Sequence, residues 1–436
     1  MRKFWFECLL ATVLVFLFMF GIYRLTELNA FNAFDSVGQA LEDVEITDYV
    51  FRSLRDDPNV DTTIVVVNIG NLSRRGIAQQ IEIISKHKPK VIGIDSFFDC
   101  RTGLRDTVNC PALKDTLGNL MFSNAIRQAG NVVLVTKLFQ SDSLVDKGYF
   151  DVADSVRVSD AIFSDYALAQ GFANLETDAA FQDDVKTCRS FYPTWKYRNQ
   201  ELYAFAVQMA KVYDSAKTNR FLTRDNFTEV INYRGNIVDL FHTTNYPQMF
   251  YTLDVEDVFY ENFVPEMIKD KIVIFGYLGQ QLGDPSWSDK FYTPLNKKLA
   301  GKANPDMFGV VVHANIVSMI LNEDFVEEMA EWQEYLLAFI VCLLNVALFS
   351  LIDSKLPIWY DGITKTLQII QLVAYSFLMV MIFHKFDFKL NITITLAAVA
   401  LVGDVFEIYN HVFRVIFSKI RARLGLTKNV DSVLTS

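Results

Sequence analysis

Four stretches of this chain are apolar and uncharged over most or all of a bilayer's thickness, and they constrain its fold more than any other feature. Residues 8–23 follow Arg2 and Lys3; 335–352 and 366–383 are unbroken runs of 18 residues; 390–403 is a shorter fourth. A helix that crosses the hydrocarbon core needs about 20 mainly apolar residues at about 1.5 Å each. Lipid offers no partner for backbone polar groups, so the helix must satisfy them itself. The first three runs reach that length with their flanks. The fourth reaches it if it starts near Phe388 and tolerates Asp404 and Glu407 at its far end. The hydrophobic content of 51% is therefore concentrated in spans, and a chain with this much apolar surface to bury is not disordered.

Orientation follows from the basic residues. Four spans put both termini on one side. Arg2 and Lys3 at one end, and Arg414, Lys419, Arg421, Arg423 and Lys428 at the other, make that side the cytoplasm. Residues 1–24 form the N-terminus and first span, 25–334 an outer domain, 335–410 three spans, and 411–436 a short basic tail. A cleaved signal peptide is the alternative for the first span. No clear small-x-small site follows it, and cleavage would leave three spans in the same orientation. The net charge of -10 argues against nucleic acid, which needs a clustered basic surface.

The outer segment alternates short apolar runs with helical spacings. Residues 62–69 (TTIVVVNI) form a β-branched run expected to be a buried strand. Residues 77–87 have apolar positions at helical spacing, and 91–94 are a second short strand. This order predicts a βαβ unit with a right-handed crossover. A helix over 113–129 and a strand over 131–139 continue the pattern. Further on, 189–197, 229–233 and 271–275 read as strands, and 201–212 and 310–321 as helices. The expected class is an α/β domain with a mainly parallel sheet, inserted between one N-terminal and three C-terminal transmembrane helices.

Several motifs stand in order along this segment: Val91-Ile-Gly-Ile-Asp95, Gly171-Phe-Ala-Asn174 and Ile231-Asn-Tyr-Arg-Gly235 come first. Asp270-Lys-Ile-Val-Ile-Phe-Gly276, Asp289-Lys-Phe-Tyr-Thr-Pro-Leu295 and Gly309-Val-Val-Val-His313-Ala-Asn-Ile316 follow, directly before three spans. The set resembles the second type of CHASE domain, an extracellular sensory domain of bacterial receptors. The resemblance covers nearly the whole chain. It implies a ligand-sensing domain outside the bacterial cytoplasmic (inner) membrane that signals across it, commonly to a fused kinase or cyclase. After Arg414 only 22 residues remain, so the output is expected from another chain. The chain departs from the family at its first strand: members commonly have an acidic cluster and then Trp-Pro, where this sequence has Asn68-Ile-Gly-Asn-Leu-Ser73.

Candidate ligand residues are Asp95 and Asp99, which lie at the carboxyl end of a predicted parallel strand, where open α/β sheets bind ligands. A capping role competes for Asp95. Asp284 and Asp289 follow a Gly-rich turn, 276–283, that lacks the residues of a P-loop. They border the same pocket or are solvated loop carboxylates. His313 is either a ligand contact or a buried core histidine; no second histidine sits at metal-ligand spacing, so no metal is expected. Cys100 and Cys110 are close enough to bridge a short loop, with Cys188 left free. Asp404, Glu407, His411 and Arg414 are spaced to share one helical face, a contact strip for a partner or a polar face entering water. Gln368 and Gln371 are expected to bond to a neighbouring span. No hydrolase signature appears, and neither an enzyme nor a cofactor is expected. The expected partners are the lipid bilayer, a membrane or cytoplasmic protein, and an unknown small ligand. The function expected first is a sensor or accessory subunit signalling to a separate partner. The alternative is a non-signalling scaffold subunit of a membrane complex.

Overall fold

The computed structural model describes residues 2–26, 45–100, 110–175, 187–237, 248–285, 287–296, 304–413 and 416. It divides into two compact units, one of residues 43–326 and the other of residues 1–42 with 327–436.

The 43–326 unit is built on an eight-stranded sheet. Strands β1 (Asp61–Asn68), β2 (Val91–Ile94) and β3 (Val132–Phe139) are joined by helices α2 (Arg74–Lys86) and α3 (Thr116–Ala129). Strands β4 (Ser155–Arg157), β5 (Ala169–Phe172), β8 (Asn236–Ile237), β9 (Gln248–Leu253) and β10 (Ile272–Gly276) complete it. The spatial order is β8-β9-β1-β10-β2-β3-β5, all parallel, and β4 pairs antiparallel with β3. Side chains from Ile64 to Val67 are all fully buried, as a strand covered on both faces requires. Helix α3 starts where the Asp115 carboxylate accepts from the Gly118 amide, 3.0 Å, and stops at Gly130, φ +67°.

Successive strand residues face opposite sides. Val65, Val67, Ile92, Ile94, Val273 and Phe275 pack with Ile77, Ile81 and Ile84 of α2 and Phe122 and Ile126 of α3. On the other side lie α4 (Phe205–Tyr213) and α7 (Gly309–Asn322). Gly93 of β2 lies under Phe205 and Met209, and Gly276 of β10 under Val310; a side chain at either glycine would collide. Helix α7 is buried from Gly309 to Leu321.

Three expectations are corrected here. The helix over 201–212 starts only at Phe205, because Gln200–Tyr203 (β7) forms a hairpin with Thr194–Tyr197 (β6). The single strand over 189–197 is two, Ser190–Phe191 and β6, in separate small sheets. β9, with no clear periodicity, was not expected at all. Helices α5 (Ser215–Leu222) and α6 (Val255–Phe259) complete this unit's labelled elements.

The other unit contains α1 (Arg2–Thr26), α8 (Glu331–Lys355), α9 (Tyr360–Phe386) and α10 (Thr393–Ile408). Among the described residues, four helical stretches are long and apolar enough to cross a membrane, the last running over Thr393–Phe413. That span begins after Phe388, because Phe388–Lys389 pairs as a short strand with Glu327–Glu328. Cys8, Ala11 and Val15 of α1 pack with Cys342 and Val346 of α8 and Ala398 and Val402 of α10. Val373 and Phe377 of α9 face outward, each 66% exposed, as lipid-facing residues do.

Candidate functional site

The order of the main sheet creates a crevice. The chain leaves β1, β2 and β9 for α2, α3 and α6, whose Ile77, Phe122 and Val258 share one core. After β10 it leads instead to α7 on the opposite face. Neighbouring strands whose exits diverge open a gap at the carboxyl edge of a parallel sheet. Here β10 has such a gap on each side.

The gap between β1 and β10 is filled. Asn68 Nδ2 donates to Asp254 Oδ1 (2.8 Å) and to the Gly279 carbonyl (3.2 Å); its Oδ1 accepts from Gly70 (2.9 Å) and Leu278 (3.0 Å). Asp254 also accepts from the Val255 and Leu282 amides. Asp284, expected at a ligand, accepts from the Gln280 amide at 2.8 Å and closes the Gly-rich turn. Gly279 and Gly283 take φ of +95° and +86° in that turn, which glycine adopts without strain.

The gap between β10 and β2 holds two acids. The Asp95 amide extends the ladder, donating to the Phe275 carbonyl at 2.8 Å. Asp95 stands two residues past Gly93 and so on its side of the sheet, the side of α4 and α7. Burial first, and the Asp289 charge second, push its pKa up to about 8. Asp289, at the surface with φ +58°, is pushed up to about 6 by the protein mass beside its carboxyl. Its carbonyl accepts from the Gly309 amide at 3.0 Å, at the start of α7. A Cβ on Gly309 would stand 3.6 and 3.7 Å from the Asp289 carboxylate oxygens. Among the described residues, neither carboxyl has a hydrogen-bond donor or basic partner, and no group of three or more His, Cys, Asp or Glu is placed to hold a metal.

His313 lies one turn along α7 from Gly309. It is 3% exposed, its ring edge meets Phe205 at 5.3 Å, and its Nδ1 has no partner. Burial pushes its pKa down to about 4, so it is neutral near pH 7.

The remaining candidates lie apart from this pair. Asp99 is held by Arg157 through two bonds of 2.6 and 2.5 Å, with the guanidinium over Phe97. Cys100 and Cys110 are joined in a disulfide, and Cys188 is buried and free. In the helical unit Asp404 forms an ion pair with Lys365 at 2.5 Å, so it is committed to α9. Glu407 and His411 are exposed, and Arg414 lies outside the described residues. Gln368 Nε2 donates to Val399 and Ala400 of α10, while Gln371 Oε1 has no partner. Sequence reasoning missed Asn68, Asp254 and Asp306. Asp306 accepts from Thr293 N (2.9 Å), Thr293 Oγ1 (2.6 Å) and Asn296 Nδ2 (3.2 Å). Polar residues beside strand ends were the available signal, but their partners are distant in sequence.

A family model described as CHASE2 domain fits residues 10–349. No curated protein and no solved structure matches.

Proposed function

The chain belongs to the CHASE2 domain family, and from that premise we propose a membrane-anchored extracytoplasmic sensor whose ligand enters the Asp95–Asp289 crevice. CHASE2 domains are extracellular sensory domains of signalling proteins. The observation that carries the assignment is the carboxylate pair itself. Two neighbouring acids without a basic partner among the described residues ionise together only at a cost, an arrangement that a ligand can relieve and that folding alone does not reward. We read the site as one that binds: among the described residues, none beside the pair supplies a nucleophile with its base.

A route outward is built into α7. Its first amide is tied to Asp289, and the segment after its last turn leads to α8, the first span of the C-terminal group. That exit is gripped by Lys217 on the Leu321 carbonyl, Arg220 on Glu323 and Arg234 on Asp324. A ligand that favours one position of Asp289 therefore biases the start of a buried, rigid helix. The signal passes to a separate cytoplasmic partner through residues 353–365 and the basic tail, with both termini inside the cytoplasmic membrane.

Gentle detergent extraction followed by mass spectrometry tests this reading. Recovery of a signalling enzyme whose activity changes with Asp95→Asn supports it. Recovery of an envelope assembly whose composition and activity ignore Asp95→Asn would favour the scaffold alternative.

A further inference from the structure

We infer that the Asp95–Asp289 crevice takes an organic cation bearing a primary ammonium group. The inference rests on the reading of that crevice as the sensory site and adds the chemistry of its ligand. Charge sets the sign: a bound cation lets both acids ionise, and ionised carboxylates only accept hydrogen bonds and would repel an anion. His313 supplies an independent pointer. A helical side chain leans toward the N-terminus of its helix and covers the preceding turn. His313 therefore lies over Gly309, where a Cβ would meet the Phe291 ring at 3.0 Å and the Asp289 carboxylate at 3.6 Å. Its Nδ1 is buried and unpartnered, and an orphaned polar atom in a folded core calls for a partner. With the proton on Nε2, that nitrogen is an acceptor. As the ammonium enters, Asp95 releases its proton to solvent, and two carboxylates and one neutral imidazole nitrogen then match the three donors of an ammonium group.

A hard divalent cation fits less well. Calcium takes six to eight oxygens, and magnesium demands an octahedron. Among the described residues no set of three ligating side chains is placed to begin one. A quaternary ammonium fits less well too, because it carries the charge without N–H donors. Phe205, edge-on to His313 and seated over Gly93, gives the crevice an apolar wall for the ligand's carbon chain.

The test uses the purified full-length protein in mild detergent, with thermal unfolding followed against putrescine, tetramethylammonium and calcium chloride. Putrescine is expected to raise the midpoint saturably, as a ligand binding only the native state does, and tetramethylammonium is not. Asp95→Asn and Asp289→Asn should each weaken apparent putrescine affinity at least about ten-fold, the loss expected for one charge-assisted hydrogen bond. Should Asp95→Asn fail to fold, Asp289→Asn carries the test, because Asp289 is exposed. Saturable stabilisation by calcium that Asp95→Asn removes would leave the site standing and overturn the ammonium assignment. Putrescine stabilisation that survives both variants unchanged overturns the crevice itself. No shift of the wild type by putrescine overturns the ammonium inference.

Discussion

Residue Asn68 shows how one amide can close half of a ligand-binding edge. All its hydrogen-bonding directions are used, two as donor and two as acceptor, across the loops after β1, β9 and β10. Asn68→Asp would place a carboxylate against Asp254 and lose both donated bonds. We expect a loss of about 3 kcal/mol in chemical denaturation, the scale of an uncompensated buried charge. Asp95 has a different signature. Its native pKa is near 8, against about 3.9 in an unfolded chain. Between those values the native state holds a proton the unfolded state has lost, so this group's contribution to stability falls as pH rises. The midpoint of wild type minus that of Asp95→Asn should therefore decrease from pH 5 to pH 8. Asp306, whose burial pushes its own pKa up to about 7, cancels in that difference. A difference that stays constant across this range would refute the assignment. Both aspartates of the crevice were legible in the sequence, Asp95 as an acid at a strand end and Asp289 as one following the Gly-rich turn. That Asp99 is spent on Arg157 was not, since their pairing depends on where β4 joins the sheet.

At the scale of elements, apolar runs were easy to read and their neighbours were not. The β-branched runs of β1, β2, β3 and β10 announce buried strands, and all four form within about a residue of their expected bounds. Nothing local says that β10 inserts between β1 and β2, yet that insertion makes the crevice. The close approach of α7 to β10 at Gly276, where a Cβ would stand 2.5 Å from Val310 Cβ, is likewise invisible in one sequence. In the helical unit the glutamine of α9 was legible as helix glue, and its site is specific. Gln368 reaches two carbonyls of α10 because Gly403 leaves it room; a Cβ there would stand 2.9 Å from Gln368 Oε1. Small residues that let polar side chains reach a neighbouring helix are the main packing device in lipid. Gly403→Leu should lower the thermal midpoint in detergent. Gly362→Leu, where nothing lies within 4 Å, should leave it near wild type. Equal effects of the two would remove the Gln368 contact from the account.

For the whole molecule, the sign of each loop charge bears on orientation, and the cysteines make orientation measurable. The chain has five cysteines. Cys100 and Cys110 are disulfide-bonded, and Cys8, Cys188 and Cys342 are buried. A maleimide that cannot cross membranes therefore has little to label in the wild type, so single engineered cysteines report cleanly. Tyr149 in the 43–326 unit is 54% exposed, and Ile358 between α8 and α9 is 93% exposed. In the proposed orientation, which rests on the basic residues at both ends, the 353–365 connection lies in the cytoplasm and the α/β unit outside. Tyr149→Cys should then be labelled in intact spheroplasts, and Ile358→Cys only after lysis. The reverse pattern would invert the molecule. It would put the Asp95–Asp289 crevice in the cytoplasm, where its ligand would have to be an internal metabolite rather than an external signal.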